Sequence, residues 1–181
     1  MMNHKKLFKL AKPFLEKNDF GLEHTQRVYD LAKRYFSIPK NIQDLVFYSI
    51  ILHDIGGSNI KDQYQKGPKI AKTLLEQLNT PIDLIEEVCE IIRTHHNHPA
   101  APSLSFQILY DSDKLVMLTP EEFPYYDSNS NINWLKIFDL IFADKIKQLA
   151  KSFLKRENQM MLNLSFFYLL FLMFYENFIS V

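Results

Sequence analysis

The chain has 181 residues, 47% of them hydrophobic and 23% charged, which suits one compact domain with a sizeable core. Lys plus Arg and Asp plus Glu both total 21, so no net charge draws the chain to nucleic acid or to an anionic membrane. The single cysteine, Cys89, excludes an internal disulfide framework and fits a reducing cytoplasm.

The N-terminal stretch MMNHKKLFKLAKPFLEKN carries lysines throughout and has no apolar core of signal-peptide type. Leu7, Leu10, Ala11 and Phe14 define one face of a first helix. Leu22 through Phe36 gives a second, with Val28, Leu31, Ala32 and Tyr35 at helical intervals. SIPKN breaks the chain, and Ile42 through Asp54 reads as a third helix, more apolar and therefore more buried. Gly56 and Gly57 stop it. The loop GGSNIKDQYQKGP leads to a fourth helix from about Lys69 to Leu78. Asn79-Thr80-Pro81 supplies a cap and an N1 proline for a fifth helix, which reaches about Thr94. HHNHPAAP is a turn, and Ser103 caps a sixth helix through about Leu118. PEEFPYYDSNSNIN is the longest irregular stretch, long enough to form a lid or rim.

A long helix from Trp134 to about Arg156 is expected next, and then an apolar C-terminal helix containing MMLNLSFFYLLFLMF, residues 160–174. That run is shorter than the ~18 residues of a spanning helix. Asn163 and Ser165 interrupt it further, so no transmembrane span is expected. A helix apolar around most of its circumference is central to a core or pressed against another chain. The C-terminal helices over 134–178 therefore complete the core or form a homodimer contact. Alternating β patterns are scarce, and no repeat or low-complexity linker divides the chain. The expected fold is all-α, a single helical domain over 1–181.

Five of the six histidines, His24, His53, His95, His96 and His98, fall in contexts that bear on chemistry. His24 has Val28 and Leu31 four and seven residues on, so it faces the interior stripe of its helix; alone it reads as a core histidine. His53-Asp54 ends the buried run in ILHDIGG, where an unpaired aspartate costs several kcal/mol. Adjacent helical residues diverge by ~100°, so two neighbours share one ion most easily where a helix loosens. Gly56 and Gly57 supply that freedom, although a plain C-cap explains them equally well. In QILYDSDKLVML, Asp111 and Asp113 point to roughly opposite sides of a helix, and the apolar pattern does not choose which faces inward. Together, two imidazoles and two carboxylates form a mixed N/O set suited to one divalent ion such as Mn, Fe, Mg, Ni or Zn.

These motifs, EHTQRVYDLA, SIILHDIGG and LYDSDKLVML in that order over about residues 20–118, resemble the HD-domain superfamily of metal-dependent phosphohydrolases. The resemblance implies an HD-like helical bundle and a metal held by His24, His53, Asp54 and Asp113. It selects Asp113 over Asp111, which becomes a supporting hydrogen-bond acceptor or a surface charge. In EIIRTHHNH it points to His95, with His96 as a neighbour able to substitute, for binding a phosphate oxygen or protonating a leaving group. Asp54 is the implied proton acceptor for the attacking water. Arg27 and Lys114 are candidates for phosphate contacts; surface pairing explains either as simply. Lys61, Lys66 and Lys69 can border the pocket or be solvated.

Relatives with two metals carry further histidines soon after the His-Asp pair. GSNIKDQYQKG has none, which argues for one ion. HDIGGS also lacks the glutamate of some nucleotidase relatives. The implied function is metal-dependent hydrolysis of a phosphate ester of a nucleotide or other small phosphorylated metabolite, in the cytoplasm. The alternative is a nucleotide- or metabolite-binding sensor module without turnover.

Overall fold

The computed structural model describes residues 2–18, 21–128 and 132–160. Among these the chain is helical and has no strand. The elements are α1 (Met2–Leu15), α2 (Gly21–Tyr35), a 3-10 turn (Lys40–Ile42), α3 (Gln43–Leu52), α4 (Ile60–Gln65) and α5 (Gly67–Gln77). They continue with α6 (Ile82–Thr94), α7 (Leu104–Val116), α8 (Phe123–Asp127) and α9 (Trp134–Leu140). Among the described residues a further helix, α10, runs over 144–160.

α3 organises the bundle. Eight successive residues, Leu45 to Leu52, are buried, so the helix has no solvent face and packs against α1, α2, α6 and α7. α2 and α7 also pack on one another, and this brings the ends of three helices together beside the C-terminus of α3. The main core joins Leu7, Ala11 and Leu15 of α1 to Val28, Ile50, Ile51, Ile92 and Leu109. A second cluster, with Leu115, Leu118, Phe123, Phe138, Ile141, Ile146 and Ala150, fastens α8, α9 and α10 to the end of α7.

The expected long helix from Trp134 to Arg156 is two helices. Ile141 is extended, with ψ 127°. The backbone N–H groups of Phe142 and Ala143 donate to the two carboxylate oxygens of Asp111, at 2.8 and 2.9 Å. A fully buried carboxylate from α7 thus satisfies amides that an unbroken helix would have paired internally. Of the two roles open to Asp111, it takes that of supporting acceptor.

Both loops that were expected to be irregular contain a short helix. Asn59 caps α4 by accepting from the Lys61 N–H at 2.8 Å, and α8 lies within the PEEFPYYD stretch. Asn79 does not cap the helix that follows it. Its φ of 54° closes α5 in a Schellman motif, with Asn79 N–H donating to the Glu76 carbonyl at 3.0 Å and Thr80 N–H to that of Leu75 at 3.1 Å. No helix among the described residues is long and apolar enough to cross a membrane. The apolar run expected over 160–174 lies outside the described residues beyond Met160.

Candidate metal centre

His24 sits in the first turn of α2, His53 immediately after α3, Asp54 in the turn that follows, and Asp113 on α7. Packing of these three helices makes the four side chains converge. His24 Nε2 lies 3.3 Å from His53 Nε2 and 3.3 Å from Asp113 Oδ1. Asp54 Oδ2 is 3.3 Å from His53 Nε2 and 3.8 Å from His24 Nε2, and Asp113 Oδ1 is 3.7 Å from His53 Nε2. Both histidines are buried.

The far side of each ring fixes its tautomer. His53 Nδ1 donates to the Ile50 carbonyl at 2.7 Å, and His95 Nδ1 does the same to Ile92 at 2.7 Å. His24 Nδ1 is 3.1 Å from each oxygen of the Glu122 carboxylate, which can only accept. In its neutral form each of these rings would therefore direct a lone pair from Nε2 inward. Two such lone pairs face two carboxylates across little more than 3 Å, an arrangement that requires positive charge between them. Protons supply it in the protein alone. Burial opposes charge on His24, but Asp113 and Glu122 outweigh this and push its pKa up to about 10. Burial likewise opposes charge on Asp113, yet Lys114, His24 and His53 hold the carboxyl well below the usual range. A divalent cation provides the same compensation, so the residues present fit a metal.

Among the described residues, two sets of side chains can hold an ion: His24, His53 and Asp113, and Asp54, His95 and His96. Asp54 stands between them. Its Oδ2 faces the first set, while Oδ1 is 3.5 Å from His95 Nε2, a buried atom with no hydrogen-bond partner. The same Oδ1 accepts from Gln63 Nε2 at 2.8 Å, and the other end of that amide accepts from His96 Nε2. Because the carboxylate cannot donate, this chain fixes both the amide orientation and the His96 tautomer. Burial and the neighbouring His95 bring the His96 pKa down to about 4, so His96 is neutral near pH 7.

Gln63 reaches Asp54 because α4 lies against the turn after the His-Asp pair. A Cβ on Gly56 would stand 2.6 Å from the Asp62 carbonyl oxygen and from Gln63 Cα. Gly56 therefore permits a backbone approach, and of the two glycines Gly57 alone uses a left-handed conformation, with φ +118°. Of the freedom expected of the pair, Gly57 shows the left-handed conformation, whereas Gly56 serves the close approach of α4. Asn18 Nδ2 adds a bond to the Asp54 carbonyl at 2.8 Å, holding the turn from the α1 side.

A cavity of about 300 Å³ opens above the cluster, lined by His24, Asp54, Asp113, His96, Lys114, Tyr125 and Tyr126 among others. His53 and His95 lie behind its wall. Lys114 Nζ is 3.0 Å from Asp113 Oδ2 and 5.0 Å from the centre of the Tyr110 ring. Arg27 does not line the cavity; its Nε and Nη2 bond Glu122 Oε1 at 2.8 and 2.7 Å. Lys61, Lys66 and Lys69 are also outside it. His98 donates to the Leu140 carbonyl at 3.0 Å and stacks on Phe142, away from the cluster.

Sequence reasoning missed Glu122 and Gln63. Both come from segments without long periodic helices, where spacing does not reveal which polar group turns inward. The one available signal for Glu122 was a glutamate pair beside an aromatic and a proline.

The fold is similar to that of a predicted HD superfamily hydrolase from an uncultured Thermotogales bacterium, with a TM-score of 0.64 and 16% identity over 91% of this chain and 92% of that one. No curated protein sequence matches the chain. The sequence model of the HD domain matches residues 21–118, a span that covers more than half of the chain and includes His24, His53, Asp54 and Asp113. The chain belongs to the HD domain family.

Proposed function

We propose that this protein is a metal-dependent phosphohydrolase that cleaves a phosphate ester of a nucleotide or another small phosphorylated metabolite. One observation carries the reading: His24, His53 and Asp113 meet with ligand atoms 3.3–3.7 Å apart, and Asp54 Oδ2 stands 3.3 and 3.8 Å from the two histidines, beside a cavity that Lys114 also lines. These four residues would hold one divalent ion such as Mn, Fe, Mg, Ni or Zn. When bound, such an ion acidifies water and polarises a phosphoryl oxygen.

The chain's own groups do the rest. Asp54, kept ionised by His53 and His95 against the effect of burial, accepts a proton from the attacking water. Lys114 stays cationic, since Asp113 outweighs the burial that opposes its charge, and it faces the substrate's anionic oxygens. His96, neutral, gives its Nε2–H to Gln63 and so lines the cavity as a fixed ring beside Asp54. Arg27 is engaged with Glu122, so phosphate contact is assigned to Lys114. The single buried Cys89 is consistent with a cytoplasmic protein.

Metal analysis of the purified protein, followed by phosphate-release assays on a panel of phosphorylated metabolites with Mn, Co, Ni or Mg, tests the proposal. At least one ester is turned over, and His53→Ala abolishes that turnover. Metal-loaded protein indistinguishable from His53→Ala on every ester would sink it, and tight ligand binding without product would favour the sensor alternative.

A further inference from the structure

Glu122 has no solvent exposure, although it comes from a loop segment and carries a charge. Buried carboxylates persist where their partners require them. Glu122 has two partners. Both of its oxygens are 3.1 Å from His24 Nδ1, and Oε1 also receives Nε and Nη2 of Arg27 at 2.8 and 2.7 Å. A carboxylate needed only to neutralise Arg27 has no reason to stand equidistant from an imidazole nitrogen.

The backbone of Glu122 is equally committed. Its N–H donates to the Thr119 carbonyl at 3.1 Å, and its carbonyl accepts from Tyr125 at 3.1 Å and Tyr126 at 3.3 Å, which starts α8. The next residue, Phe123, is buried in the second hydrophobic cluster. The segment is therefore tied down on both sides, and the carboxylate is held against the His24 ring rather than swinging there from a free loop.

We infer that Glu122 is a positioning residue of the metal centre: it sets the orientation and tautomer of His24 through Nδ1, and Arg27 in turn fixes Glu122. This rests on His24 being a metal ligand, as in the proposed function. A carboxylate on the remote nitrogen holds an imidazole in register and raises its basicity towards a cation. The arrangement links residues 98 positions apart. It also gives Arg27 a function other than substrate contact.

The test is Co(II) binding to the full chain, measured by chelator competition and by the visible absorption of the bound ion, with circular dichroism as the check on folding. Glu122→Gln keeps the side-chain shape but removes the charge. The expected result is a 10–100-fold weaker Co(II) affinity with an altered absorption envelope. Arg27→Met leaves the carboxylate at His24 and weakens Co(II) less than Glu122→Gln does. Folded Glu122→Gln that binds Co(II) within twofold of the parent, with an unchanged spectrum, overturns the inference while leaving the metal-hydrolase reading intact. A parent that binds no Co(II) overturns both. Should Glu122→Gln fail to fold, long-range proton–nitrogen spectra of the Zn(II)-loaded parent decide. A proton on His24 Nδ1 supports the assignment, and one on Nε2 overturns it.

Discussion

Gly56→Ala is a one-methyl perturbation with consequences that can be worked out from distances. The added Cβ would meet the Asp62 carbonyl oxygen and Gln63 Cα at 2.6 Å, and Gln63 N at 2.9 Å. All three are backbone atoms, so no flexible side chain can move aside. Ordinary contact begins near 3.4 Å, and α4 must retreat by about 0.8 Å to reach it. A rigid retreat of that size stretches the 2.8 Å bond from Gln63 to Asp54 beyond hydrogen-bond range. Overpacking of this kind costs about 1–3 kcal/mol. Losing a bond to an ionised carboxylate adds about 1.5–3 kcal/mol. At about 2–4 °C per kcal/mol for a chain of this size, the melting temperature falls by at least about 5 °C. Thermal unfolding followed by circular dichroism measures that fall. Two-dimensional amide spectra report in parallel whether the Gln63 side-chain signal loses its shifted position. Gly57→Ala is the control: its φ of +118° makes any side chain strained, but nothing lies within 4 Å of the new atom. It destabilises without disturbing Gln63. Gly56→Ala melting within about 1 °C of the parent, or an unmoved Gln63 signal, would refute the close-approach argument.

Asp111→Asn turns one acceptor into a donor facing the Phe142 or Ala143 amide; about 1.5–3 kcal/mol of stability should be lost in urea titrations. Saturation with a divalent ion at about 100 times its Kd stabilises the fold by about 2.7 kcal/mol, a rise of roughly 5–10 °C in melting temperature that EDTA reverses; no rise with any ion contradicts the metal centre. His4, packed among Tyr29, Phe47 and Tyr48, has its pKa lowered from 6.5 by burial, against the opposing hydrogen bond to Asp44. As pH falls through 6.5 the unfolded chain takes up this proton before the folded one, so the contribution of His4 is complete above 6.5 and is lost as pH falls below it. Ring-proton NMR titration should give a midpoint below 6.5, and His4→Phe should remove this component from the pH dependence of urea midpoints.

The helices that build the bundle announced themselves through apolar spacing, and the ones that were missed did not have room to. α4 and α8 are six and five residues long, too short for a periodic stripe to appear. The split between α9 and α10 was invisible for another reason. The pattern from Trp134 onward is helical on both sides, and the break is imposed from outside by Asp111, 31 residues away in sequence. At the site, His24, His53 and Asp54 stood out by their places on or at the end of helices, whereas Asp113 was chosen over Asp111 by the family resemblance alone. The supports did not stand out: Glu122 and Gln63 are recognisable only once the chain has folded and their partners stand beside them. The two glycines of ILHDIGG show the same limit, since the close approach of α4 to Gly56 is a tertiary fact that no local pattern encodes.

α7 presents Asp113 to the ligand cluster and, two residues earlier, Asp111 to the amides of Phe142 and Ala143. The family-matched span of residues 21–118 is therefore not a self-sufficient piece. Excised at those limits, it would strand Asp111 without its donors, His24 without Glu122, and the main core without Leu7, Ala11 and Leu15. A stop codon near residue 140 would remove the donors of Asp111 from the far side of the helix that carries Asp113. The minimal intact fragment is set by what α7 holds on its other face, not by where the recognisable motifs end.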